Sequence, residues 1–288
     1  MTAVKLCYTV ATPEVARMAT AWMGDTERVL GQIADIGYGG VEVQTGDPSA
    51  FDTAAYLRQV RAAGLAVTGV STGPLAAEGL YLTAPDEATR REGVRRLNAV
   101  TDFAAECGTH VTIGSIRGFA RWAPDRATGL GWFRAALTEI TEHAAARGVR
   151  VVLEPQSRQT SDMLNTMAAT VAFIRSFGSA ALALEADSYH MALEEQSVPA
   201  ALVTAHRSGL LLHVQISDTN RLAPGRGHLN WADFFATVRA LEYDRWICVE
   251  ADQHPDSAAV ARQAYELAAL MTSGHAAQPA AGQPGAGQ

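Results

Sequence analysis

VRVVLE (149–154), AALALEAD (180–187), LLLHVQ (210–215) and RWICVE (245–250) share one design: a short, largely apolar run that closes on an oxygen-bearing side chain. The closing residues Glu154, Asp187, Gln215 and Glu250 follow one another at intervals of 33, 28 and 35 residues. A short apolar run of this kind is the mark of a parallel strand covered on both faces. One strand-plus-helix unit of a closed eightfold barrel takes about 30 residues. The spacing therefore predicts four consecutive units, with the four polar groups at the C-terminal strand ends around one barrel mouth. Three carboxylates and an amide oxygen aimed at one point repel each other unless a cation lies among them. The pattern predicts a metal site.

Upstream the same alternation continues. VKLCYTV (4–10) precedes an apolar-periodic helix over 26–37, and GVEVQ (40–44) precedes one over 53–63. LAVTGVS (65–71) leads into a polar loop from Ser71 to Pro85. Asp86 is a good N-cap for a helix running to Cys107, and HVTIG (110–114) is the fourth strand. A helix over 129–147 stops at Gly148, and further helices are expected over 163–177, 197–207, 231–242 and 256–272. Eight strands alternating with eight helices give an α/β protein with a parallel sheet, closed as a (β/α)8 TIM barrel over residues 1–272. No GxGxxG follows the first strand, which counts against a dinucleotide-binding fold. The Ala, Gly, Pro and Gln of GHAAQPAAGQPGAGQ (274–288) cannot bury a core, so 273–288 is expected to be a disordered tail.

Bulk properties narrow the function classes. With 48% hydrophobic and 18% charged residues in 288, the composition is that of a globular protein. A net charge of −7 argues against a nucleic-acid partner. No apolar stretch approaches the roughly 18 residues of a membrane span, and MTAVKLCYTVATPE is not a signal peptide. Cys7, Cys107 and Cys248 show no paired spacing, as expected of buried thiols in a reducing cytoplasm.

Function in such a barrel sits at the C-terminal strand ends and the loops after them. Glu154 and Glu250 flank the set and are placed to remove and return a proton while binding the metal. Asp187 is a plain ligand, and His190, three residues on, reaches a substrate hydroxyl or carbonyl. Period-two alternation puts His213 on the face of Gln215, about 6–7 Å deeper. Glu185 likewise lies two before Asp187, so a buried Glu185–His213 pair is expected beneath the metal. Arg221, in the loop after the seventh strand, is placed to polarise a substrate oxygen, whereas Arg226 belongs on the surface. Arg117 and Arg158 are candidates for holding a substrate carboxylate or phosphate, and Trp122 and Trp132 either wall the pocket or pack.

Taken as an ordered set, LEP at Glu154, ADSYH at Asp187 and His190, SDTNRLAPGRGH (217–228) and VE at Glu250 resemble the sugar phosphate isomerase/epimerase superfamily. EGLYLTAPDEATRREGV (78–94) and IGSIRG (113–118) extend the likeness to its ketose and keto-acid 3-epimerase branch, the group containing D-tagatose 3-epimerase. The resemblance spans residues 4–272. It implies a xylose-isomerase-like barrel, metal ligation by Glu154, Asp187, residue 215 and Glu250, proton transfer by Glu154 and Glu250, and substrate contacts from His190 and Arg221. It also implies a small sugar or keto-acid substrate and a homo-oligomer, dimer or tetramer.

One position departs. Epimerases of this type mostly carry histidine where this chain has Gln215, and glutamine there resembles hydroxypyruvate isomerases and 3-dehydroshikimate dehydratases on the same barrel. The expected activity is thus C3 epimerisation, with aldose–ketose isomerisation or dehydration as the alternative and His213 as a possible substitute ligand. An all-oxygen donor set favours Mn²⁺ or Mg²⁺ over Zn²⁺. A DNA-repair endonuclease would need a histidine-rich zinc cluster and a basic surface, which this sequence lacks.

Overall fold

The computed structural model describes residues 4–272; the expected tail over 273–288 lies outside the described residues. Eight parallel strands close into a barrel in chain order: β1 (Lys5–Ala11), β2 (Gly40–Gln44), β3 (Ala66–Ser71), β4 (Val111–Ile113), β5 (Val151–Leu153), β6 (Leu182–Asp187), β7 (Leu211–Ile216) and β8 (Trp246–Val249). β8 pairs back onto β1, so no strand edge is left free. Around the barrel run α1 (Thr26–Ile36), α2 (Thr53–Ala62), α3 (Gly73–Ala77), α4 (Glu87–Cys107), α5 (Arg126–Ala146), α6 (Met167–Phe177), α7 (Ser188–Glu194), α8 (Val198–Arg207), α9 (Trp231–Ala240) and α10 (Ser257–Thr272). Among the described residues no helix is long and apolar enough to cross a membrane.

Local chemistry sets the helix ends. Asp25, Asp52, Asp86 and Asp125 each accept the backbone N–H three residues on, which satisfies a donor the helix leaves free. Gly37 and Gly108 end α1 and α4 in the left-handed region that glycine enters without strain. Apolar side chains of the helices pack on the outer face of the sheet, with Leu97, Phe103, Leu137, Ile140, Phe234 and Phe235 all fully buried there.

The structure departs from the sequence reading in two segments. The expected loop 71–85 contains the short helix α3, opened by Pro74 at an N-terminal position where its missing N–H costs nothing. The DSYH segment, to which the sequence assigned no element, is helical, because the Asp187 carboxylate accepts the Tyr189 N–H (2.8 Å) and so starts α7 directly at the strand end.

Inside the barrel the filling is unusually polar. Two residues below Asp187, Gln215 and Glu250 on their own strands lie Glu185, His213 and Cys248, all buried. Glu42 of β2, fully buried, reaches across to meet them. The expected Glu185–His213 pair does not form, although the two are register partners on β6 and β7. Side chains on neighbouring parallel strands point the same way, into the barrel, and find partners across it. His213 Nε2 lies 2.6 Å from Glu42 Oε2, while Glu185 accepts from the Thr112 hydroxyl (2.8 Å).

Candidate metal centre and active site

The strand geometry brings the expected residues together. Glu154 stands one residue past β5, Asp187 ends β6, Gln215 is next to last in β7 and Glu250 stands one past β8. Asp187 and Gln215 are register partners. Glu154, Gln215, Glu250, His190 and Arg221 line one cavity of about 220 Å³ at the C-terminal mouth. Glu154, Asp187 and His190 offer ligand atoms within 4.8 Å of one another.

Three buried acids share this space. Burial, then the neighbouring Asp187 and Glu250 carboxylates, pushes Glu154 well above the ordinary range, against the pull of Arg221 and Arg117. Burial likewise raises Glu250 to about 8, with Arg221 pulling the other way. Arg221 donates to both Asp187 Oδ2 and Glu250 Oε2 from a backbone in the left-handed region (φ 63°). Its loop is organised by the buried Asp218, which accepts from Trp231 Nε1 (2.9 Å) and from the backbone of Thr219, Gly225 and Leu229. Glu250 Oε1 accepts in addition from Gln44 Nε2 (3.0 Å) and Thr20 Oγ1 (3.3 Å).

His190 has a defined tautomer. Its Nδ1 accepts the Ser157 N–H (3.0 Å), and burial lowers its pKa to about 4, so the ring is neutral and Nε2 carries the hydrogen. That N–H faces Glu154 Oε1 at 3.5 Å and Asp187 Oδ2 at 3.9 Å. An N–H cannot also donate a lone pair, so in this geometry His190 is a hydrogen-bond donor and not a metal ligand.

The donor set fits a hard divalent cation. Glu154, Asp187 and Glu250 supply carboxylates, and Gln215 supplies an amide oxygen. Gln215 Nε2 donates to Glu42 Oε1 (2.7 Å), which leaves Gln215 Oε1 buried without a donor. A buried acceptor left unpartnered costs about 1–3 kcal/mol, and a cation removes that cost. His213, the alternative ligand, does not line this cavity, and its Nε2 meets Glu42 one layer below.

Other candidates fall outside the cavity. Arg158 is exposed and pairs with Glu194 (2.8 Å). Arg117 is fully buried, donates to the Glu154 backbone carbonyl and does not line the cavity. Trp122 packs on Tyr81 and Phe119, Trp132 lies under Arg90, and Arg226 is a surface residue bonded to Gln263. Glu42, Gln44 and Thr20 were not anticipated. The signal for Glu42 and Gln44 in GVEVQ is a pair of polar residues two apart on an otherwise apolar buried strand, and Thr20 carries none.

A Cβ at Gly114 would lie 2.3 Å from Glu154 Oε2 and 3.0 Å from Gln156 Nε2. Gly114→Ala should therefore displace the carboxylate and lower turnover about tenfold or more with little change in Tm, since misplacement of about 1 Å can cost 10²-fold. A carboxyl whose folded pKa is raised holds a proton that the unfolded chain releases, so its contribution is full below the ordinary carboxylate range and is lost as pH rises. With Glu250 at about 8, the metal-free protein should lose Tm steadily between roughly pH 5 and 8. Glu250→Gln should make that slope shallower without abolishing it, because burial raises Glu154 as well, and an unchanged slope in the variant would show that Glu250 does not contribute.

A family model described as the xylose isomerase-like TIM barrel matches residues 30–270. L-ribulose 3-epimerase of Mesorhizobium japonicum is 30% identical over 230 residues, covering 78% of this chain and 75% of that protein. Ketose 3-epimerase of Arthrobacter globiformis is 26% identical over 219 residues, covering 75% and 74%. Among solved structures, an L-ribulose 3-epimerase superposes with a TM-score of 0.78 at 24% identity over 95% of each chain, a likeness of fold. The chain belongs to the xylose isomerase-like TIM barrel family, and relatives that it matches over most of their length are sugar 3-epimerases.

Proposed function

We propose that this protein is a divalent-metal-dependent 3-epimerase of a ketose. The observation that carries the reading is a small cavity lined by two buried carboxylates, Glu154 and Glu250, and the unpartnered amide oxygen of Gln215, with the Asp187 carboxylate within 4.8 Å of Glu154 beside it. The 3-epimerase relatives supply the reaction class. Glu154, Asp187, Gln215 and Glu250 would hold the cation, and their oxygen chemistry favours Mn²⁺ or Mg²⁺. When bound, the cation supplies Lewis-acid polarisation of the ketose carbonyl, which acidifies the neighbouring C–H bond.

The chain's own residues do the rest. One of Glu154 and Glu250 removes the C3 proton, and the other returns a proton to the opposite face of the resulting enediolate, so C3 inverts. A carboxylate with raised basicity is suited to this, because proton transfer is most effective when the pKa lies near the working pH. His190 Nε2–H donates to a substrate oxygen near Glu154. Arg221 donates two N–H bonds on the Asp187–Glu250 side and is placed to meet a developing negative charge.

The test is proton exchange in D₂O, followed by NMR over a panel of ketoses with added Mn²⁺. Metal-dependent deuterium at C3 with formation of the epimer is the expected result. Deuterium at C1 with appearance of an aldose would replace this reading with aldose–ketose isomerisation, and exchange that persists after chelation would sink the metal dependence.

A further inference from the structure

The glutamine at position 215 raises a problem of orientation. An amide presents oxygen from one end and N–H₂ from the other, and only the oxygen can serve a cation. Some neighbour must choose between them. Glu42 is that neighbour. Its Oε1 accepts the Gln215 Nε2–H at 2.7 Å, and a carboxylate without a proton has no hydrogen to offer the other end of the amide.

Two further contacts fix the Glu42 carboxylate as an acceptor. It is fully buried, His213 Nε2 lies 2.6 Å from its Oε2, and the Ser71 hydroxyl donates to its Oε1. The chain Ser71–Glu42–His213 lies under the site, with β2 and β3 on one side of the barrel and β7 on the other. Its upper contact is Gln215, whose Oε1 is left buried without a partner.

We infer that Glu42 is a positioning residue for the candidate metal centre: by taking the amide N–H₂ of Gln215 it turns the amide oxygen toward the cation. This rests on the metal reading above and adds the residue that makes glutamine a competent ligand. It touches neither substrate nor metal, so its effect is on affinity for the ion and passes through Gln215.

A double-mutant cycle on Mn²⁺ binding tests this, with the metal-free full-length protein titrated and free Mn²⁺ read by electron paramagnetic resonance, independent of turnover. E42Q puts a side chain with its own N–H₂ opposite Gln215 and should weaken Mn²⁺ binding about 10–100-fold, the usual cost of losing an outer partner of a ligand. Q215A should weaken it at least as much. The double variant E42Q/Q215A should bind no more weakly than Q215A alone, because Glu42 acts through the residue already removed. Additive losses, or E42Q binding as tightly as wild type, overturn the inference.

Should E42Q fail to fold, the exchange variant E42Q/Q215E keeps the charge and the hydrogen bond with donor and acceptor reversed. It should fold and bind Mn²⁺ within about threefold of wild type or tighter, well short of the 10–100-fold penalty, and a loss as large as that of Q215A overturns the proposal. Wild-type protein that binds no Mn²⁺ would instead refute the metal reading itself and carry this inference with it.

Discussion

Glu250→Gln and Glu154→Gln should each lower epimerisation by about 10²–10⁴-fold, the range typical of a lost proton-transfer group. Glutamine keeps the shape of the side chain and can still offer an oxygen, so the change removes basicity more than bulk. The two variants should also fail differently. If the carboxylates serve opposite faces of the substrate, losing one leaves the other able to remove a proton and return it on the same face. Residual deuterium uptake in D₂O would then appear in one epimer without inversion, and in the opposite epimer for the other variant. Mn²⁺ affinity measured on each variant separates lost ligation from lost proton transfer. Either variant retaining epimerisation within about fivefold of wild type would remove that residue from the mechanism, given the size of effect expected.

The two carboxylates differ in what surrounds them, and that bears on how each is affected. Glu154 sits against Gly114, with the neutral His190 near one oxygen and Arg117 on its own backbone carbonyl. Glu250 is tied by Gln44 and Thr20 on one oxygen and by Arg221 on the other. Glu250→Gln brings an N–H₂ in among three donors, so it should perturb local hydrogen bonding more than Glu154→Gln.

Much of this was legible in the sequence because a parallel strand buried on both faces tolerates a polar residue only where it has work to do. Four apolar runs each closing on an oxygen at matched spacing were enough to place Glu154, Asp187, Gln215 and Glu250 around one mouth. Pairings inside the barrel were not legible in the same way. Period two shows that Glu185 and His213 face inward, but it does not show which side chain from the far wall reaches them. Glu42 decides that, and the polar pair in GVEVQ marks an inward face without showing what it meets across the barrel. The short helix α7 escaped notice because seven residues carry too little periodicity; its start is set by the Asp187 carboxylate. Arg158 failed as an anion contact because Glu194, whose side chain is buried, already pairs with its guanidinium.

Arg221→Met should produce the largest change in the stability of the metal-free protein. Arg221 is the cation that bridges Asp187 and Glu250, and its side chain is only 16% exposed. Removing one partner of a buried ion pair costs about 3–5 kcal/mol because the other charge is left uncompensated. The cost must depend on pH. Glu250 already holds its proton up to about 8 with Arg221 present, and without the guanidinium that pKa moves higher still. At pH 5 Glu250 keeps its proton in both proteins, so the gap between them should be at its smallest. As pH rises through 8 the wild type keeps a compensated pair and the variant does not, so the gap in Tm should widen. Saturating Mn²⁺ should narrow it, since a divalent ion among the same oxygens replaces the missing positive charge. Arg221→Lys should recover only part of the stability, because a single ammonium cannot span two carboxylates as the planar fork does. Thermal melts of the three proteins at pH 5 and pH 9, each with chelator and with Mn²⁺, decide the matter. Equal melting of wild type and Arg221→Met at pH 9 in chelator would show that the arginine bridge contributes nothing to the metal-free fold.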